Sequence, residues 1–218
     1  MPPGPWSAIV PSGSCGQAAC AILDGVETYA VSQGRIQAVR TSVRLLSSKQ
    51  IYRGKVVQLK LDRVIEPGGV EVSREVVCHS GSVVILPRLA DGRVVLVRQF
   101  RYPAGKWLWE LVAGCIEPGE TPMKAARREL LEETGYRARR LKPLLEFFSS
   151  PGFLNERMYL IEASGLRPAQ ARPERDERIR VGQFTPRELR RMLRTGEIED
   201  AKTLVGLLAS LPTKLRQS

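Results

Sequence analysis

The sequence predicts an α+β fold with a mixed or antiparallel sheet at its centre. From Val43 onward the chain contains short runs rich in β-branched residues, separated by turn residues. One helical segment interrupts these runs, and two more helical segments follow them near the C-terminus. Strands, a helix, strands and then helices, without an internal repeat, are typical of α+β domains. Hydrophobic residues make up 43% of the chain, which is enough to build a core.

Two strand runs flank an Asp91-Gly92 turn. They occupy residues 82–87 and 93–100, and both are rich in valine and leucine. Asp-Gly tolerates the positive φ of a tight turn, so this arrangement is a strong signal for a β-hairpin. We therefore expect the two runs to pair with each other. Further strand runs follow the first helix at residues 144–148, 157–162 and 179–184.

Capping residues predict the limits of the helices. Thr121 is a candidate N-cap, Pro122 suits the first helical position, and Gly135 can adopt the left-handed conformation that ends a helix. A second helix is predicted to begin with the capping box at residues 185–188, and a third to span about residues 200–211.

The N-terminal part of the chain differs in composition from the rest. Residues 1–41 are rich in Gly, Ser, Ala and Pro and lack the basic and apolar regions of a signal peptide. We expect them to form a loosely ordered extension. Antiparallel strands are expected at residues 42–80, the main domain at 81–212 and a short tail at 213–218.

Charge and cysteine content restrict the function classes. Lys plus Arg number 34 against 23 Asp plus Glu, a net charge of +11 that favours polyanions such as nucleotides, acidic metabolites or nucleic acid. A solvated basic surface is the alternative interpretation, because acids are interleaved with the basic residues.

His79 is the one histidine, which excludes a mechanism that needs two. The four cysteines form no C-x-x-C pair, which argues against structural zinc, and we expect reduced thiols in the cytoplasm.

The first helix carries the acidic residues of greatest chemical interest. Glu129, Glu132 and Glu133 are spaced i, i+3 and i+4, so a helix places the carboxylates on one face about 5 to 6 Å apart. These like charges repel one another, and a hard divalent cation that prefers oxygen ligands would offset the repulsion. For three glutamates taken alone, a solvated acidic face is the alternative interpretation.

The loop before the helix decides between these interpretations. The pattern that it completes consists of Gly114, Glu120, Arg128, Glu129, Glu132, Glu133 and Gly135. A chance match of such a pattern in this chain is on the order of 10⁻⁶ at average composition. The stretch from Gly114 to Tyr136 resembles the Nudix box, the signature of hydrolases that cleave a nucleoside diphosphate linked to another group. Tyr136 stands where an aliphatic residue is usual.

The flanking segments resemble the ADP-ribose pyrophosphatase branch of the Nudix hydrolases. The matching segments are residues 97–101, 110–114 and 150–153, and the resemblance spans roughly residues 43–211. It implies an α/β/α sandwich with a mixed sheet, preceded by a small antiparallel N-terminal sheet. Val112 departs from the branch, which often has proline there.

The resemblance implies a metal shell and a catalytic set within the box. The main-chain carbonyl of Ala113 and the carboxylates of Glu129, Glu132 and Glu133 are expected to hold Mg²⁺, for which Mn²⁺ is an alternative. The expected catalytic residues are Glu177, Glu132 and Arg128.

Three box residues are expected to have structural roles. Gly114 permits the tight backbone that aims the Ala113 carbonyl. Glu120 can pair bidentately with Arg128, fastening the loop to the helix, and Gly135 ends the helix.

The substrate residues follow from the same resemblance. Arg101 matches an arginine that contacts the phosphates of the substrate, and its planar fork suits phosphate oxygens. Arg74 and Glu75 stand where an Arg-Glu pair helps to hold the nucleotide. Ser150 and Pro151 are expected in the substrate pocket.

The general base is expected on a loop between the last strands. The loop offers Glu174, Asp176 and Glu177, of which Glu177 has the best register with the branch. A mobile acid that reaches the nucleophilic water when substrate binds is consistent with gating by loop closure. Glu174 and a glutamate of the box are the alternatives.

The activity implied is Mg²⁺-dependent hydrolysis of ADP-ribose to AMP and ribose 5-phosphate by a homodimer linked through residues 42–80. Another nucleoside diphosphate sugar, such as a GDP-linked hexose, is the alternative substrate. A metabolite sensor whose C-terminal helices contact DNA is an alternative of another class. We expect no membrane partner, because no stretch approaches the roughly 18 uninterrupted apolar residues of a membrane helix. We expect no nucleic-acid partner, because a pure sensor need not retain every carboxylate of the box.

Overall fold

The computed structural model describes residues 28–32, 35–39, 42–170 and 179–211. The described residues form two compact units. The first contains the residues up to His79 together with Ser150–Glu156, and the second contains Ser80–Ser149 and the residues from Arg157 onward.

The first unit is built from antiparallel strands. They are β1 (Thr28–Ser32), β2 (Arg35–Val39), β3 (Arg44–Arg53), β4 (Gln58–Ile65) and β5 (Glu71–Cys78). Strands β1 and β2 pair with each other, while β3, β4 and β5 form a meander in chain order. This sheet confirms the small antiparallel N-terminal sheet expected from the sequence.

The segment Ser150–Glu156 attaches to strand β5. The amide of Val77 donates to the Phe153 carbonyl at 2.8 Å, and the amide of Asn155 donates to the Val77 carbonyl at 3.1 Å. The side-chain oxygen of Asn155 also accepts from the His79 amide at 2.8 Å. These main-chain contacts make the segment part of the first unit, although it is distant in sequence.

The second unit combines two sheets with three α-helices. Its strands are β6 (Ser82–Pro87), β7 (Val94–Arg101), β8 (Lys106–Glu110), β9 (Val112–Cys115), β10 (Tyr136–Phe148), β11 (Arg157–Pro168) and β12 (Arg180–Phe184). Its helices are α1 (Pro122–Thr134), α2 (Pro186–Thr195) and α3 (Ala201–Ser210), with a 3₁₀ turn at Tyr102–Ala104. One sheet has the order β10-β11-β6-β9, and the other has the order β12-β7-β8. The first sheet is mixed, because β11 and β6 are parallel and its other pairs are antiparallel.

Strand β6 lies at the centre of the core and is buried along its whole length. Val83 and Ile85 pack in a cluster with residues of α1, whereas Val84 and Leu86 pack in a cluster with residues of α2 and α3. Alternate side chains of a strand point to opposite faces of its sheet. The helices therefore cover both faces of the sheet, and the α/β/α sandwich is confirmed.

The hairpin predicted around Asp91-Gly92 is wrong. The turn forms, with Gly92 at φ 86° and its amide bonded to the Leu89 carbonyl, but β6 and β7 enter different sheets. The two ends are joined at the turn by an isolated bridge between Arg88 and Val94 and by a hydrogen bond from the Leu89 amide to the Arg93 carbonyl at 2.8 Å. Strand β6 pairs on its two sides with β9 and β11, so it has no edge left for β7.

Helix limits follow the predicted capping residues. Thr121 caps α1, Gly135 ends it at φ 68°, and Thr185 with Glu188 forms the complete capping box of α2. Asp200 caps α3. Strands β10 and β11 extend well beyond the predicted runs, because they pair with each other over almost their whole length.

Most of the predicted extension at residues 1–41 lies outside the described residues, so its loose order stays a prediction. The other domain limits also stay predictions. Within the described part of the chain, no helix is both long enough and apolar enough to cross a membrane.

We expect Gly206→Ala to destabilise the second unit. A Cβ at Gly206 would lie 2.4 Å from Cδ1 of Leu111 and 3.2 Å from Cδ1 of Leu160, both fully buried. Alanine normally stabilises a helix by about 1 kcal/mol over glycine, but overpacking a core costs about 1 to 3 kcal/mol. The free energy of unfolding in urea should therefore fall. Leu208→Ala, at an exposed position of the same helix, is the control; a stabilised Gly206→Ala variant would contradict this packing.

Candidate active site

Helix α1 presents one apolar face to the sheet and one acidic face to the preceding loop. Ala125, Ala126 and Leu130 are buried in the core cluster beneath the helix. At its start, the Thr121 hydroxyl accepts from the Lys124 amide at 3.3 Å. At its end, the Gly135 amide donates to the Leu131 carbonyl at 3.0 Å. The caps and the buried face together fix the rotation of the helix, so the acidic residues face the loop after β9.

Arg128 connects this acidic face to the loop. Its guanidinium donates to Glu120 at 2.8 and 3.1 Å, which is the bidentate pair predicted from the sequence. It also donates to Glu129 at 2.6 Å, to Glu132 at 3.2 Å and to the Cys115 carbonyl at 3.0 Å. The pKa of Arg128 lies far above its ordinary value. Its hydrogen bonds to Glu120 have the largest effect, and Glu129 has a smaller one. Arg128 therefore stays charged while it holds three carboxylates and the end of β9.

Gly114 provides the space in which the Glu129 carboxylate lies. A Cβ at this position would fall 2.0 Å from the carboxylate carbon and from one of its oxygens. Any larger residue would displace Glu129 or the backbone of β9. The need for glycine thus comes from close packing against a charged side chain.

Glu133 lies on the same helix and is only 5% exposed. A carboxylate so removed from water needs nearby positive charge or strong hydrogen bonding to remain ionised. The pKa of Arg101 is raised, and the hydrogen bonds of Arg101 to Glu110 have the largest effect. The negative charge of Glu133 has a smaller effect in the same direction. Glu133 and Arg101 therefore belong to one electrostatic environment.

Arg101 is held by a carboxylate that the sequence interpretation did not identify. Its Nε and Nη2 atoms donate to the two oxygens of Glu110 at 2.8 and 2.7 Å, and Lys202 donates to the same carboxylate at 2.5 Å. Glu110 is 1% exposed. Burial acts to raise the pKa of Glu110, but the hydrogen bonds and charges of Arg101 and Lys202 outweigh burial and hold that pKa below its ordinary range.

Residues at the start of α3 bind both Glu110 and the next residue, Leu111, which lies between β8 and β9. The Leu111 amide donates to the Thr203 hydroxyl at 2.7 Å, and that hydroxyl donates to Asp200 at 2.6 Å. Asp200 also accepts from Lys202 at 2.8 Å. The sequence predicted only a helix from about residue 200 and gave no signal for this network, in which Lys202 and Glu110 are 92 residues apart.

Other predicted site residues lie in the first unit. Arg74 donates through Nε and Nη2 to Glu66 at 2.8 and 3.0 Å, and Glu75 is exposed on β5 opposite Leu61. The Ser150 carbonyl accepts from the Phe153 and Leu154 amides in the turn that contains Pro151. Glu177, Glu174 and Asp176 lie outside the described residues, so the general base stays a prediction.

The arrangement of the box carboxylates bears on metal binding. Among the described residues, no three His, Cys, Asp or Glu side chains lie together in a form ready to hold a metal ion. Arg128 accounts for this in part, since its Nη1 atom holds Glu129 and Glu132 together. One guanidinium cannot neutralise three carboxylates, however. The excess negative charge and the all-oxygen donor set both suit a hard divalent cation.

Comparison with known proteins supports the interpretation of this geometry. Residues 79–205 match the family model described as NUDIX domain. The chain belongs to the Nudix family. As a Nudix protein it is 36% identical over 162 residues to a protein of Bacillus subtilis (strain 168) named ADP-ribose pyrophosphatase, covering 73% of this chain and 88% of the relative.

A second relative has the same name. It comes from Mycobacterium tuberculosis (strain ATCC 25618 / H37Rv) and is 36% identical over 168 residues, covering 75% of this chain and 81% of the relative. Among solved structures, one titled "Crystal structure of ADP compounds hydrolase" matches with a TM-score of 0.68 and 21% identity, covering 77% of this chain and 91% of the other. At that identity, the structural match supports the Nudix fold alone.

We expect Glu120→Gln to lower the free energy of unfolding by about 1 to 2 kcal/mol at pH 7, because it removes the charge of a partly buried bidentate pair. Arg128 holds the pKa of Glu120 below its ordinary value of 4.5 against the opposing effect of burial. Since the pKa is lower in the folded state, the carboxylate stabilises the fold fully above about pH 4.5, and this contribution is lost as the pH falls.

The measurement is urea unfolding of wild type and Glu120→Gln from pH 7 to pH 3, where the difference between them should shrink at the acidic end. Glu71→Gln serves as a control, because its pair with Arg63 is exposed and should contribute little. A Glu120→Gln variant as stable as wild type at pH 7 would contradict the assigned role of the pair.

Proposed function

We propose that this Nudix protein hydrolyses the diphosphate of ADP-ribose, or of a similar nucleoside diphosphate sugar, to a nucleoside monophosphate and a sugar phosphate. For ADP-ribose the products are AMP and ribose 5-phosphate. The observation that carries the proposal is the convergence of the box carboxylates on Arg128 and Gly114. The two relatives named ADP-ribose pyrophosphatase support this choice of substrate.

The residues that would hold Mg²⁺ are the carboxylates of Glu129, Glu132 and Glu133 and the carbonyl of Ala113. Their oxygen donors and their excess negative charge fit this ion, with Mn²⁺ as the alternative. When bound, the ion supplies charge neutralisation for the diphosphate and lowers the pKa of the attacking water. The proton of that water is taken by a carboxylate, for which we propose Glu177.

Arg101 and Arg128 have different roles in this proposal. Two donors of Arg101 are fixed by Glu110, so its remaining N–H groups can meet a phosphate oxygen in a set orientation. Arg128 is occupied by Glu120, Glu129 and Glu132, so it keeps the carboxylates at their spacing. We assign Arg101 to substrate binding and Arg128 to organisation of the catalytic helix.

A panel of substrates separates the alternatives within the class. Purified protein with Mg²⁺ is incubated with ADP-ribose, GDP-mannose, UDP-glucose and other nucleoside diphosphate sugars, and the products are identified. We expect the highest kcat/KM with ADP-ribose. A preference for guanosine substrates would overturn this choice, and rapid turnover without binding to duplex DNA would dismiss a DNA-binding sensor.

We expect Glu133→Gln to reduce kcat by about a hundredfold or more at saturating Mg²⁺, because it removes the charge of a metal ligand and preserves its volume. The fold should remain intact by circular dichroism. Glu162→Gln is the matched control, since Glu162 is a partly exposed glutamate of β11 that pairs with Arg88. Activity within tenfold of wild type would refute the ligand role of Glu133.

We further propose that the protein is a cytoplasmic homodimer in which the strands of the first unit reach the partner subunit. On β3 and β4 several large apolar side chains are exposed, namely Leu45, Leu46, Ile51, Tyr52 and Leu61. A partner that covers them would bury apolar area and protect an open sheet edge.

If Arg74 and Glu75 complete the pocket of the partner, then two inactive variants should complement each other. Glu133→Gln and Arg74→Ala are mixed under conditions that permit subunit exchange. Half of the random dimers are mixed, and each mixed dimer contains one intact site out of two. Activity should therefore approach about a quarter of wild type.

Arg63→Ala is the control for this experiment, because Arg63 forms an exposed pair on the same sheet and the variant should stay active by itself. No recovery despite demonstrated exchange, or a monomer by light scattering, would contradict the shared site.

A further inference from the structure

We propose that Lys202 is a positioning residue that keeps Arg101 available to the phosphates of the substrate. It acts by neutralising Asp200, which would otherwise draw the guanidinium away from its orientation on Glu110. The proposal rests on the proposed function, in which Arg101 binds the diphosphate. It assigns a role to a residue at the start of α3, outside the box.

Four charged side chains form one cluster in the second unit. Lys202 donates to Glu110 at 2.5 Å and to Asp200 at 2.8 Å, while Arg101 donates to both oxygens of Glu110. The side chains of Glu110, Lys202 and Asp200 are 1%, 11% and 16% exposed, whereas that of Arg101 is 39% exposed. The charges of the two cations and the two anions cancel, and Arg101 is the most exposed side chain of the cluster.

The hydrogen bonds of Arg101 show which part of it is free for a ligand. Glu110 takes the N–H of Nε and one N–H of Nη2. A guanidinium has five N–H donors, so three remain, including both on Nη1. Among the described residues, no hydrogen bond of Nη1 is found. Glu110 thus orients the fork and leaves an edge of it suited to phosphate oxygens.

Removal of Lys202 would change the charge that Arg101 experiences. Arg101 would then face Glu110, Asp200 and Glu133 without the cation that offsets two of them; Asp200 and Glu133 already act on it electrostatically. The guanidinium would be drawn toward Asp200, and the cluster would become more negative by one charge. Both effects weaken the binding of an anionic diphosphate.

Lys202 is not the sole contact between α3 and this region among the described residues. A second contact runs from the amide of Leu111, between β8 and β9, through the Thr203 hydroxyl to Asp200, which also caps the helix. Lys202→Met keeps the long apolar stem and leaves those bonds in place. The variant can therefore be tested as a folded protein.

The experiment compares steady-state kinetics on ADP-ribose with Mg²⁺ for wild type, Lys202→Met, Arg101→Met and the double variant. We expect Lys202→Met to raise KM about tenfold, the usual scale for a charge-assisted contact, while kcat changes less than threefold. In the Arg101→Met background, Lys202→Met should raise KM much less, because the local loss of positive charge remains while the effect through Arg101 is gone. Lys142→Met, an exposed lysine of β10, controls for the change in net charge and should match wild type.

Two results would overturn the proposal. One is an unchanged KM in a folded Lys202→Met variant. The other is an equal rise in KM with and without Arg101, which would indicate a role independent of that arginine. Melting temperatures of all the variants show whether any loss of activity reflects unfolding.

A second measurement separates this proposal from the proposed function. The Nε–H resonance of Arg101 is recorded by ¹⁵N NMR without substrate and assigned by its absence in Arg101→Met. Lys202→Met should shift this resonance and Lys142→Met should not; an unshifted resonance overturns the positioning role. If wild type hydrolyses no member of the substrate panel, the proposed function fails, and this spectrum still decides whether Lys202 positions Arg101.

Discussion

The contact between Arg128 and three carboxylates is the interaction on which the rest of the site depends. Glu120 comes from the loop, Glu129 and Glu132 come from the helix, and the Cys115 carbonyl comes from the end of β9. One side chain therefore fixes three segments that the backbone alone would leave free to separate. Because like charges at this spacing repel, the cluster needs a cation that cannot lose its proton, and arginine meets that need.

The second unit contains another arginine held by a buried carboxylate. Glu110 fixes Arg101 as Glu120 fixes Arg128, and in both cases two guanidinium nitrogens donate to the same carboxylate. The two arginines differ in the N–H donors that remain once the carboxylate is bound. The guanidinium of Arg128 bonds to residues of the box, whereas Arg101 keeps N–H donors for a ligand. The same chemical pair therefore serves an internal role in one place and a binding role in the other.

Burial of β6 on both faces explains how Arg128 and Lys202 reach their positions. The strand pairs with β9, which leads into the box, and packs between α1 on one face and α2 and α3 on the other. Arg128 is on α1, whereas Lys202 is on α3. These two side chains have defined positions because the helices that carry them pack on a single buried strand.

Features that depend on residues close together in the chain could be predicted from the sequence alone. The caps at Thr121, Gly135 and Thr185, the carboxylates of α1 and the Glu120–Arg128 pair all follow from spacings of a few residues, and the structure contains them. Such features need only local backbone geometry, so a short pattern is enough to predict them.

The pairing of the strands and the contacts between distant charges depend on tertiary packing. The Asp91-Gly92 turn forms, yet β6 and β7 separate because β6 already pairs on both sides. Glu110 and Lys202 meet across 92 residues. No local pattern predicts that contact, because it depends on how α3 packs against the core. Burial of Glu110 makes the contact necessary, since an ionised carboxylate without water requires a cation.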